Sequence, residues 1–196
     1  MTAQVPDTVW LDGEQLAIAG VSGHGLFDPA ERGLKPAMFS TACWRGFVCT
    51  YAVDAGRLVL DALHLGAGSQ IDGQDVAPGA PLLGGTAERL TIAAGGGYAY
   101  QNLGWPVPFT GGLLLGADFI RATYVHMGFH PAWKFERVME ILLDHGSVQA
   151  VHDRSAEVAG RRRVIESGAA GHPDGPRGGV DWIERTFTLD YGRTFG

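Results

Sequence analysis

Two histidines stand four residues apart in Tyr124-Val125-His126-Met127-Gly128-Phe129-His130-Pro131-Ala132-Trp133-Lys134. On a helix that spacing puts both imidazoles on one face, where they could share an ion held about 2.0–2.3 Å from its ligands. On a strand it leaves them about 13 Å apart, too far for one metal. Gly128 and Pro131 interrupt a helix, and no glutamate follows His126 as in an HExxH helix. His24, His64, His145, His152 and His172 are scattered. The expectation is no metal site and no cofactor. Two readings stay open for His126: a half-buried, hydrogen-bonded sheet residue, or a ligand contact acting as general base.

Other chemistries find weaker support. Cys43 and Cys49 lie in Ala42-Cys43-Trp44-Arg45-Gly46-Phe47-Val48-Cys49, which reads as one strand running to Val53. Six residues of strand span roughly 20 Å, whereas a disulfide needs Cα atoms about 4.4–6.8 Å apart. Buried free thiols are expected, with no disulfide. The Gly-rich stretches at 66–74 and 93–101 lack the Lys-Ser or Lys-Thr of a phosphate loop. Gly20-Val21-Ser22-Gly23 is offset from a GxSxG nucleophile turn. Asp61, Asp72, Asp75, Glu136 and Glu140 are available as carboxylate pairs, without a spacing that singles one out.

Aromatic and basic side chains form the more specific constellation. Trp44, Arg45, Tyr124, His126, Trp133 and Lys134 would share one surface if the segment around Trp44 neighbours the segment around His126. His130 and Trp105 join them as candidates. Trp, Tyr and Arg dominate binding hot spots, and Trp and Tyr also fill cores. In a catalytic reading, His126 is the base and Arg45 holds an anionic group.

The elements that must position these residues are mainly strands. Asp12-Gly13, Asp54-Ala55-Gly56, Asp72-Gly73 and Asp144-His145-Gly146 each sit between apolar runs and read as hairpin turns. The fold expectation is mainly β: an antiparallel hairpin meander forming a barrel or sandwich, with one short helix. That helix is expected within 116–128, while 138–143 reads as strand. Residues 22–37, 77–87 and 93–112 read as loops; the last, rich in aromatics, could act as a lid. Residues 1–153 form one β-rich domain. Residues 154–196 form a C-terminal extension, with a Gly/Pro-rich loop at 168–179 and a final strand at 180–191.

At 196 residues and 45% hydrophobic, the chain can bury a core. A net charge of -6 argues against nucleic acid as partner, and no apolar run is long enough for a membrane span. The start, Met1 to Gln15, lacks the basic and apolar regions of a secretory signal, so the expected compartment is the cytoplasm.

The segments Ser40–Leu65, with Cys43-Trp44-Arg45-Gly46, and Pro108–Gln149, with Thr110-Gly111-Gly112-Leu113-Leu114 and Tyr124–Gly128, occur in this order. Together they resemble a family of small uncharacterised bacterial cytoplasmic proteins with CWRG(Y/F) and YVHMG motifs. The resemblance implies a bacterial cytoplasmic setting and attaches no activity to the motifs.

The leading functional expectation is a cytoplasmic protein-binding module, of the kind used as immunity or antitoxin inhibitors, with a basic protein as partner. The alternatives are a small enzyme using His126 and Arg45, and a small-ligand carrier with an apolar barrel.

Overall fold

Five pairs of residues ending in glycine set the strand order. In Asp12-Gly13, Ala55-Gly56, Asp72-Gly73 and His145-Gly146 the first residue has φ of 45–50° and the glycine 74–81°. Both central positions are left-handed, as a two-residue hairpin matched to strand twist requires. All four expected turns therefore form. A fifth, Leu83-Gly84, joins Pro81–Leu82 to Gly85–Thr86 inside an expected loop. Leucine is no turn-former, so composition gives no hint of it.

The computed structural model describes residues 2–90, 96–167, 189 and 191. Its strands are β1 (Thr8–Leu11), β2 (Glu14–His24), β3 (Phe47–Asp54), β4 (Arg57–Gly66), β5 (Glu88–Leu90), β6 (Gly97–Tyr100), β7 (Thr110–Phe119), β8 (Phe135–Asp144) and β9 (Ser147–Asp153). The chain is mainly β, and its large sheet closes in a ring: β3, β4, β9, β8, β7, β2, β1 and back to β3. All of these contacts are antiparallel except β1 with β3, which is parallel. The β4–β9 contact is a single pair, Arg57 with Ser147. β5 and β6 extend the sheet from β4, and Trp105–Pro106 pairs with Leu60 and Val59.

The ring encloses one apolar core, including Val9, Tyr51, Leu60, Leu113 and Ile141, with Phe109 entering from a loop. Each such side chain contributes roughly 1.5–3 kcal/mol on burial. Simple alternation on β4 would put Leu58 and Leu60 on one face and Leu63 and Leu65 on the other. Instead all four are buried in the core. Tyr51 faces Leu60 and Thr50 faces Ala62, so Asp61 is an extra residue that resets the phase. The Leu103 N–H donates to the Asp61 carbonyl at 2.9 Å.

A second layer covers β8 from outside. Helix α1 (Ser155–Glu166) buries Val158 and Ile165, and Arg162 donates to the carbonyls of Trp133 and Phe135. The helix expected within 116–128 is not there. β7 continues to Phe119, which pairs with Phe135, and only Arg121–Thr123 makes one 3-10 turn. Sheet pairing outcompetes the local helical pattern. The Gly/Pro-rich loop at 168–179 lies outside the described residues, as does the 180–191 strand apart from Leu189 and Tyr191. The Val21 N–H donates to the Leu189 carbonyl at 2.6 Å, and the Tyr191 hydroxyl donates to Glu140 at 3.0 Å.

Cys43 and Cys49 do not share a strand. β3 begins at Phe47, and Cys43 lies in the turn before it, its thiol donating to the Phe47 carbonyl at 3.2 Å. Both cysteines are free and buried. Burial pushes both thiols up from their ordinary pKa, which suppresses thiolate chemistry.

No helix among the described residues is long and apolar enough to cross a membrane.

Candidate functional site

The segment before β1 draws the two motif regions together. The Gln4 N–H donates to the Gly128 carbonyl at 2.7 Å, and the Val5 N–H to the Ala42 carbonyl at 2.8 Å. The buried Gln4 side chain continues the seam. Its amide nitrogen donates to the Thr41 carbonyl at 3.1 Å, and its oxygen accepts the Trp44 N–H at 3.1 Å. Residues 2–7 thus lie between the turn at 40–46 and the loop at 124–129.

Asp7 and Arg45 close this seam. The guanidinium donates to both Asp7 oxygens, at 2.6 and 2.9 Å, and the Cys49 N–H donates to Asp7 Oδ1 at 2.6 Å. Phe47 and Phe129 place their ring centroids 4.7 and 5.5 Å from the guanidinium carbon. Burial, the largest influence on Asp7, raises its pKa despite Arg45 and the Cys49 N–H. Burial would lower Arg45, but the Asp7 charge and hydrogen bonds more than offset it, so its pKa goes up. Beside the pair lies a pocket of about 190 Å³, walled by Ile18, Val21, Leu26, Phe129 and Leu189. Both terminal nitrogens of Arg45 are thus already engaged. An anionic substrate would have to displace Asp7.

A ring cluster forms the neighbouring loop. His130 lies 4.7 Å from Phe119 and 5.2 Å from Tyr124, and Tyr124 carries His126 edge-on at 4.8 Å. The loop is irregular rather than a strand. The two histidines meet the same tyrosine, and among the described residues no group of three or more His, Cys, Asp or Glu is placed to hold a metal ion. Both ring nitrogens of His130 are buried without a hydrogen-bond partner. Burial, helped by the Lys134 charge, lowers its pKa from 6.5 to about 4.

That shift makes a pH dependence. The unfolded chain takes the proton first, so the stability contribution of neutral His130 is complete above pH 6.5 and is lost as pH falls towards 4. His130 keeps some solvent contact, and screening there reduces the effect to roughly 1–2 kcal/mol. Urea titrations at successive pH values will show wild type losing this much more than His130→Phe, which keeps the ring packing. Parallel curves would refute it.

The other candidates disperse. Lys134 is only 1% exposed, with Nζ 5.1 Å from the Trp133 ring centroid, so it is no surface cation. Trp105 pairs with Leu60 and stacks under Arg32 at 5.2 Å. Trp44 and Tyr124 are exposed, at 51% and 44%. The residues that sequence reasoning missed are Gln4, Asp7 and Phe129. Asp7 reaches Arg45 across 38 positions, a separation no local pattern encodes.

No protein-family model matches the chain, no curated protein matches it in sequence, and no solved structure matches its fold.

Proposed function

We propose that the chain is a protein-binding module whose contact surface is the loop cluster formed by residues 2–7, 38–46 and 124–130. One observation carries this reading. Trp44, Met38, Tyr124 and Val5 are large apolar side chains left exposed on adjoining segments, while behind them Gln4 holds the Trp44 N–H and Asp7 holds Arg45. Exposed aromatics on a preorganised frame have the chemistry of binding hot spots. An inhibitor of the immunity or antitoxin type is the form of binder this surface suits, with a basic partner favoured by the net charge of -6.

The test is quantitative capture from the native lysate, followed by titration of the purified partner. Trp44→Ala combined with Met38→Ala will weaken binding by about 30-fold or more, with melting temperature unchanged. Undiminished binding by the double variant would place the contact elsewhere. Absence of any stoichiometric protein partner would sink the reading and favour the small-ligand or enzyme alternatives.

A further inference from the structure

β9 is bonded to β8 along its whole length, from Ser147 opposite Asp144 to Asp153 opposite Met139. Its other side pairs with β4 only at Ser147, and the Val148 N–H donates to the Gly56 carbonyl. Beyond that point β4 pairs instead with Trp105–Pro106 and with β6. The Arg154 N–H points back to the Val138 carbonyl on β8. Strand backbones alternate, so His152 also directs its polar groups to β8, while Val151 and Asp153 direct theirs outward. Among the described residues no strand pairs with that edge.

Free edges invite pairing, and proteins guard them with charge or proline. The other two edges of the large sheet are guarded. β5 carries exposed Glu88 and Arg89, and the Trp105–Pro106 edge has its proline. From Gln149 to His152, β9 has neither a proline nor an acidic, lysine or arginine side chain, and Val151 is 42% exposed. The bulge beside Gln149 precedes the free stretch and leaves it regular.

We infer that a second copy of this chain occupies this edge, β9 against β9, antiparallel about a two-fold axis at Val151. The two Val151 residues then exchange both backbone hydrogen bonds and cover each other's exposed side chains. In the same register each Gln149 amide faces the other copy's Asp153 carboxylate, and each Ala150 faces a His152. No two acidic side chains oppose one another. On a chain of net charge -6, this uncharged stretch is where two copies can approach without that repulsion. The partner surface proposed above lies on other segments, so the two readings stand independently.

Sedimentation velocity across about 5 to 500 µM will show wild type moving from monomer to dimer. Val151→Lys sets two like charges face to face at the axis and will weaken self-association at least tenfold, whereas Val151→Thr will retain it. Mixing Val151→Lys with Val151→Glu will restore a one-to-one dimer, because only a two-fold axis at this residue opposes the two charges. Circular dichroism and melting temperature will confirm that each variant is folded. Wild type that stays monomeric throughout, Val151→Lys that dimerises like wild type, or a charge-swapped mixture that does not associate would each overturn the inference.

Discussion

Asp7→Ala will destabilise the fold by about 3–5 kcal/mol, read as a fall in the urea midpoint followed by tryptophan fluorescence. The carboxylate accepts from both terminal nitrogens of Arg45 and from the Cys49 N–H. Removing it leaves a guanidinium beside Phe47 and Phe129 with no counter-charge, and leaves the Cys49 N–H without its acceptor. Arg45→Ala will cost a similar amount for the complementary reason. The paired variant Asp7→Leu with Arg45→Met will recover at least half of the loss. Burial outweighs attraction for Asp7, whose carboxyl pKa is raised, so the ion pair is a poor stabiliser compared with apolar packing. The Cys49 N–H stays unpaired in that variant, which is why recovery is incomplete. Additive losses in this cycle would show that the two groups act independently and that the seam is held elsewhere.

This seam also shows where sequence reasoning reaches its limit. Arg45 is legible because it stands in a short stretch rich in aromatic and polar types. Asp7 is a lone acid after a proline, and only the closed ring brings it beneath Arg45. The hairpins are legible because Asp and Gly cluster at their turns; Leu83-Gly84 adopts the same left-handed geometry with no Asp beside it. The reading of β4 fails at one residue, Asp61, because a bulge changes the phase of every side chain beyond it without altering composition. Helix α1 is invisible for a different reason. It buries only Val158 and Ile165, so its sequence has no apolar stripe, and its docking rests on Arg162 reaching two carbonyls.

Gly23 and Gly111 face each other across β2 and β7, and either one changed to alanine will lose about 2–4 kcal/mol. Their φ values are +147° and +142°, outside the range that side-chain-bearing residues favour. A Cβ at Gly23 would overlap the Thr110 carbonyl oxygen and crowd the Phe109 ring, and one at Gly111 would overlap the Ser22 carbonyl oxygen. Those obstacles are backbone, so no rotamer relieves them. Gly13→Ala separates the two causes. It has φ of +81° but open space around it, so it will cost only about 1–2 kcal/mol, the conformational part alone. The excess at Gly23 measures the overlap together with the greater strain of a φ near +147°. It also measures what the bare pair permits, because Phe109, fully buried, packs its ring tip against this crossing. Because the nearest obstacles are backbone, Phe109→Leu will leave most of the cost of Gly23→Ala in place, and the two changes will come close to adding. Equal midpoints for Gly13→Ala and Gly23→Ala would remove the overlap argument and leave only backbone strain.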